Sequence, residues 1–200
     1  MRVLAHPAAK PLVFGLYLLP VAWLVWAAVA DQLGANPAEA LIRGLGDWTL
    51  RALVLVLAIT PLRVTLGWPQ LARFRRMAGL FVFFYASLHW LAYVWFDMGF
   101  VWADVVADVP KRPFILVGTL GWLLLLALAA TSFNRAIRWL GSPRWQRLHR
   151  AVYAVAVLAV LHFFWMRAGK NDFAEVAVYA ALLAVLLGWR LWRRRVTVLR

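Results

Sequence analysis

Residues 77–96 read MAGLFVFFYASLHWLAYVWF. These twenty residues contain no Asp, Glu, Lys or Arg, and a single histidine, His89, interrupts them. At about 1.5 Å per residue a helix of this length covers about 30 Å, the hydrocarbon thickness of a bilayer. Arg75 and Arg76 close the run on one side and Asp97 on the other. An apolar stretch of this length between charged ends reads as a membrane-spanning helix.

Five further apolar segments follow the same pattern, at roughly 12–30, 48–66, 113–131, 151–166 and 173–192. The fifth is the shortest and is expected to borrow a turn from its flank. None alternates apolar and polar residues as a barrel strand does. The 200 residues are 65% hydrophobic and 15% charged. Soluble domains run at about 45–50% and about 25%. A disordered chain and an ordinary cytosolic enzyme are therefore excluded, and zero Cys excludes a disulfide scaffold. No connection is long enough for a soluble domain, so 1–200 reads as one domain. The fold class expected is all-α integral membrane, a six-transmembrane-helix bundle. Arg2, Lys10 and Ala28-Val29-Ala30 have the look of a signal peptide. The apolar run at 12–30 exceeds the usual 7–15 residues of such a peptide, and it reads as a retained helix.

The charges orient the bundle. With the N-terminus in the cytoplasm, alternation puts 16 of the 22 basic residues on the cytoplasmic side. They are Arg2 and Lys10; Arg63, Arg73, Arg75 and Arg76; Arg135, Arg138, Arg144, Arg147 and Arg150; and Arg190, Arg193, Arg194, Arg195 and Arg200. The outer side keeps Arg43, Arg51, Lys111, Arg112, Arg167 and Lys170, together with all eight acids. This is a strong positive-inside bias, and it predicts both termini in the cytoplasm. The net charge of +14 becomes a collar for the lipid bilayer's anionic headgroups, with no nucleic acid as partner.

Three of the four histidines fall within or beside apolar segments: His89 in the third, His149 and His162 in the fifth. Ionisable residues at membrane depth are costly and point to function. His89 lies 13 residues after Arg76, and His162 lies 12 after Arg150. Both are therefore roughly 18–20 Å in from the cytoplasmic end. Two histidines at equal depth on parallel helices can clamp one planar cofactor, and haem takes an axial ligand on each face. His149 is 13 residues before His162, about 20 Å along one helix, too far to share an iron. It is left for a second haem near the inner face, a flavin or quinone site, or an interfacial structural role.

Zinc is disfavoured, because there is no Cys, no HExxH and no carboxylate within the core of any segment. No GxSxG, P-loop or GxGxxG is present. Arg51, Arg112 and Arg167 are candidates to meet haem propionates, and Asp104 and Asp108 to dock a partner. Tyr85, Trp90, Phe163, Phe164 and Trp165 read as packing more readily than as cofactor walls. The competing reading is a haem-free transporter with a histidine proton relay. Against it stand the lack of inverted repeats and of paired intramembrane carboxylates.

Several stretches together resemble one family. They are Gly46-Asp47-Trp48-Thr49-Leu50-Arg51, Thr60-Pro61-Leu62-Arg63, Arg75-Arg76-Met77-Ala78-Gly79-Leu80 and Tyr85-Ala86-Ser87-Leu88-His89. Trp145-Gln146-Arg147-Leu148-His149-Arg150-Ala151-Val152-Tyr153, followed by His162-Phe163, is the most specific. The resemblance is to the MsrQ (YedZ) family of the ferric reductase-like transmembrane group, and it covers nearly the whole chain. It implies a haem b electron-transfer subunit of the bacterial inner membrane, with His89, His149 and His162 implicated in haem binding. It implies FMN as a further cofactor. It implies electrons drawn from the quinone pool or a cytoplasmic flavin reductase. They would pass to MsrP, a periplasmic molybdopterin reductase that repairs methionine sulfoxide and forms a heterodimer with the subunit. The NADPH oxidases of the wider group carry two histidines on each of two helices. Here the position 13 residues before His89 is Arg76, which is no ordinary haem ligand. The flavin and nucleotide domain of those oxidases is also lacking, so a separate donor is implied.

Overall fold

The computed structural model describes residues 2–169 and 171–198. Lys170 and Arg200, counted above among the charges, lie outside the described residues. Among the described residues the chain is helical and has no strand. The helices are α1 (Arg2–Ala5), α2 (Ala9–Val29), α3 (Pro37–Thr65), α4 (Arg75–Phe96), α5 (Trp102–Asp108), α6 (Pro113–Ala130), α7 (Asn134–Leu140), α8 (Ser142–His149), α9 (Val152–Ala168) and α10 (Ala174–Val198). A 3-10 turn over Pro69–Phe74 joins α3 to α4. Six stretches are long and apolar enough to cross a membrane: Ala9–Val29, Pro37–Thr65, Pro69–Phe96, Pro113–Ala130, Ser142–Ala168 and Ala174–Arg193. The chain is a multi-pass membrane protein with the expected six-helix architecture. Pro20 and Pro61 lie inside α2 and α3, which run on through them.

Two elements differ from the sequence reading. The second span was expected from residue 48, where the apolar run begins. Instead α3 starts at Pro37. The Asn36 side chain accepts the Glu39 N–H at 3.1 Å, and its Nδ2 donates to Glu39 Oε2 at 3.2 Å. Pro37 takes the first turn, where its missing N–H costs nothing. Hydropathy overlooked this turn because Glu39, Arg43 and Asp47 dilute it. The second difference concerns His149, which was expected on the same helix as His162. It is the last residue of α8, and the chain turns at 150–151 before α9 begins at Val152. A positive-φ Gly141 and Pro143 in the first turn start α8 as a separate element.

The centre of the bundle is built from α3, α4, α6 and α9. α3 and α4 are antiparallel, as are α6 and α9. Leu53, Val56 and Leu57 of α3 pack with Ala78, Val82 and Ala86 of α4, Leu125 of α6, Val155 and Ala156 of α9, and Leu183 of α10. Ala52, Ala78 and Ala156 are almost fully buried where helices cross. In a lipid solvent such small residues let backbones approach closely, which is where packing energy is gained. α2 rests against α3 and α4 at the rim. Its Tyr17 ring stacks on Phe81 at 4.7 Å, and the Tyr85 hydroxyl donates to the Tyr17 carbonyl at 2.5 Å. The outward faces are apolar, with Leu12, Leu16, Leu19, Trp23 and Val29 of α2 all exposed. Such a surface is stable against hydrocarbon and costly against water.

The Asn36 cap gives the first prediction. Asn36→Ala strips one acceptor from the first turn of α3, a loss of about 1 kcal/mol. The melting temperature of the detergent-solubilised protein should fall, and Asn36→Ser should restore it. An unchanged melting temperature in Asn36→Ala would contradict the assignment.

Candidate functional site

His89 on α4 and His162 on α9 meet inside the bundle, their ring centroids 6.0 Å apart and their planes at 82°. Each ring is fixed by a backbone carbonyl of the adjacent helix. His89 Nδ1 lies 2.8 Å from the Ile42 carbonyl oxygen, and His162 Nδ1 lies 2.7 Å from that of Phe114. A carbonyl only accepts, so in each ring Nδ1 carries the proton and donates. In the neutral ring Nε2 then carries the lone pair. This is the tautomer of a metal-ligating imidazole whose second nitrogen is anchored by an outer hydrogen bond.

A glycine makes each anchor possible. Gly46 stands one turn after Ile42, and Gly118 one turn after Phe114. A helical side chain covers the turn N-terminal to its own Cα, so a residue there would shield the carbonyl. A Cβ on Gly46 would lie 3.1 Å from His89 Cε1. One on Gly118 would lie 2.8 Å from His162 Nδ1. The bare backbone leaves room for the imidazole, and the carbonyl's second lone pair receives it. The two half-sites are built alike, with histidine and carbonyl 47 residues apart in one and 48 in the other. The sequence reading saw no repeat, because this one consists of a glycine, a carbonyl and a histidine on unrelated apolar backgrounds.

A cavity surrounds the pair. Its walls include Leu50, Leu53, Val82, Trp90, Trp122, Leu125, Leu158 and Phe163. Trp90 and Trp122 stack at 4.8 Å, and Trp122 Nε1 donates to Ser87 Oγ at 3.0 Å. Trp90 Nε1 and Thr119 Oγ1, both from lining residues, are buried without a hydrogen-bond partner. Buried donors of this kind suit a ligand that brings its own acceptors. Among the described residues no group of three His, Asp or Glu gathers as a metal site. Two imidazoles in a mostly apolar cavity therefore suit a metal whose remaining ligands come from a macrocycle.

The remaining sequence candidates divide clearly. Trp90 and Phe163 line the cavity. Tyr85 is fully buried in the α2–α4 contact, while Phe164 and Trp165 face outward. Of the three arginines proposed for propionates, Arg167 alone borders the cavity. It is paired with Asp172 at 3.1 Å and with Glu175. Arg51 instead donates to Tyr179 at 3.3 Å and lies over Trp48. Arg112 is bound to Asp108. Arg43 and Asp47 also border the cavity and were missed. The signal was their spacing, since positions 43, 46 and 47 share one helix face once α3 is known to start at Pro37. His149 is remote in character from the pair. Its ring stacks on Trp145 at 3.9 Å, and its Nε2 lies 3.2 Å from Thr131 Oγ1. The Thr131 hydroxyl donates to the Ala127 carbonyl at 2.8 Å, so it accepts from His149 Nε2–H.

Outside the spans, α5 folds across the α4–α6 connection. Asp108 Oδ2 accepts from the Tyr93 hydroxyl at 2.8 Å and from Arg112 Nε at 2.8 Å. The hydrogen bond from Arg112 holds the Asp108 carboxyl below the ordinary carboxylate range. Tyr93 is itself a cavity residue, so this latch ties α5 to the site.

Comparison with known proteins agrees with this architecture. Residues 44–160 match the family described as ferric reductase like transmembrane component. A protein of Polaromonas naphthalenivorans (strain CJ2), named protein-methionine-sulfoxide reductase heme-binding subunit MsrQ, is 64% identical over 200 residues, covering 97% of this chain and 91% of that one. The protein of the same name from Bordetella pertussis is 54% identical over 189 residues, covering 93% and 91%. That of Ralstonia nicotianae is 50% identical over 185 residues, covering 92% and 85%. No solved structure matches. The match over residues 44–160, on a six-helix membrane fold, makes the chain a member of the ferric reductase-like transmembrane class. Within that class, the chain belongs to the MsrQ family.

The latch gives the second prediction. Because its carboxyl titrates below the usual value in the folded protein, Asp108 stabilises above the ordinary carboxylate pKa of about 3.9. That stability is lost only as pH falls through the lowered value. Hydrogen exchange of the α5 amides should therefore stay slow from neutral pH down to about 4 after correction for intrinsic rates. Asp108→Asn should speed it at every pH. Equal protection in wild type and Asp108→Asn would contradict the latch.

Proposed function

We propose that this chain is a haem b electron-transfer subunit, with His89 and His162 as the two axial ligands of one haem. The supporting observation is the ring pair itself, two neutral imidazoles 6.0 Å apart with both Nδ1 atoms anchored to carbonyls. His89 and His162 would hold the haem iron, the Nδ1 atom of each being engaged by a carbonyl and Nε2 being left as the ligand atom. When bound, the haem supplies reversible one-electron chemistry. The chain's residues hold and tune it. The Ile42 and Phe114 carbonyls raise ligand basicity through the Nδ1–H bonds. The cavity walls are mostly apolar, and Trp90 Nε1 and Thr119 Oγ1 are buried without a partner, so acceptors of a bound group would satisfy them.

The finer terms of the proposal follow from family membership and the charge pattern. The chain sits in the bacterial inner membrane with both termini in the cytoplasm, as its basic collar favours. It takes electrons from the quinone pool or a flavin donor and delivers them to periplasmic MsrP, its heterodimer partner. FMN is a further cofactor in this reading. His149, which the family resemblance also implicates in haem binding, is engaged by Thr131 and Trp145 in this structure, so a second haem there would require it to leave Thr131.

Two predictions test the reading. A reduced-minus-oxidised spectrum of the purified protein should show a low-spin b-type haem, lost in both His89→Ala and His162→Ala. A pyridine haemochrome assay with His149→Ala should show whether a second haem is present. A colourless protein expressed with ample haem would overturn the proposal and favour the proton-relay reading. Separately, Gly118→Ala should lower haem per chain more than Gly46→Ala, since its Cβ comes nearer its histidine, 2.8 Å against 3.1 Å. Wild-type content in both variants would contradict the glycine account.

A further inference from the structure

A second cavity, apart from His89 and His162, lies between the start of α2, the 3-10 turn and the start of α4. It is a groove of about 670 Å³ whose lining includes Lys10, Phe14, Leu18, Arg73, Arg76 and Phe81. Its two ends differ chemically. One end holds the three cations. The wall is apolar and aromatic, with Phe14 edge-on to Phe81 at 5.1 Å. Phe14 and Leu80 are also exposed on the outer face, so the groove opens sideways toward lipid.

The two arginines are held but not neutralised. Arg73 Nη1 donates to the carbonyls of Leu4 at 3.2 Å and Ala5 at 2.9 Å. Arg76 Nη1 donates to Asn134 Oδ1 at 2.8 Å. These acceptors fix the guanidiniums in place and carry no charge. Among the described residues, the ion pairs are Arg43 with Glu39, Arg112 with Asp108, and Arg167 with Asp172 and Glu175. All of them belong to the opposite end of the bundle. No Asp or Glu occurs in the segments at the groove's end. Two fixed guanidiniums and Lys10, without a carboxylate and beside an apolar channel open to the side, suit an anion that carries hydrocarbon.

We propose that this groove is a specific site for an anionic phospholipid, its phosphate on Lys10, Arg73 and Arg76 and an acyl chain along Phe14, Leu18 and Phe81. Basic pockets between spanning helices on the positively charged side bind such headgroups. The bound lipid would join α2 to α4 at the end where protein contacts alone leave like charges together.

Native mass spectrometry of the detergent-solubilised protein tests this, with phosphatidylglycerol, phosphatidylcholine and inorganic phosphate as probes. Wild type should retain phosphatidylglycerol over phosphatidylcholine, and inorganic phosphate should not displace it. The double variant Lys10→Gln/Arg76→Gln should lose roughly tenfold or more of that retention, from the two charges removed. Arg144→Gln, elsewhere on the same collar, should retain it. Arg73 is left intact because it also holds α1. Equal retention in the double variant would overturn the proposal. So would equal binding of phosphatidylcholine by wild type, a result that needs no variant to fold. Displacement by inorganic phosphate would show an anion site without a lipid. A stoichiometric flavin adduct lost in the double variant would make the groove a flavin site instead.

Discussion

The site depends on one interaction made twice: an imidazole Nδ1–H donating to a helix carbonyl that a glycine leaves uncovered. In a membrane interior, a histidine without a partner is an expensive residue. Ile42 and Phe114 remove that cost, and Gly46 and Gly118 let the rings reach them. The same bond selects the tautomer, so satisfying the ring's polarity and preparing Nε2 as a ligand are one event. The surrounding bundle serves this geometry. The small residues Ala52, Ala78 and Ala156 bring the four central helices close enough for carbonyl and ring to meet across two helix pairs.

Much of this was legible in the sequence. The count of 13 residues from Arg76 to His89 and 12 from Arg150 to His162 fixed their depth against the interface. The structure brings both rings to one level. The glycines were not legible as anchors. A glycine in an apolar helix can serve close packing, a bend or nothing, and only the partner helix shows which. Arg43 was hidden because hydropathy weighs composition and ignores caps. The pattern of Asn36, Pro37 and Glu39 announced the helix start, but a window tuned to apolar length passed over it. His149 was misplaced for the opposite reason. No residue at 150–151 forbids a helix, so counting carried α9 back through the turn that separates it from α8.

Charge divides the molecule into two unlike ends. At one end, acids and bases pair with each other, and the latch of Asp108, Arg112 and Tyr93 closes a well-ordered connection. At the other, arginines are bound to carbonyls and to an asparagine, and their charge is directed outward. The two ends thus differ in how charge is met: carboxylates pair with Arg43, Arg112 and Arg167 at one end, and uncharged acceptors hold Arg73 and Arg76 at the other.

The most direct measurement is a low-temperature electron paramagnetic resonance spectrum of the oxidised protein with its haem bound. The two imidazole planes stand at 82°. Near-perpendicular axial imidazoles give a strongly axial low-spin ferric signal with a large maximum g value. The account predicts that signal. A high-spin ferric signal would contradict it, because the iron would then lack one of the two histidines on which the site is built.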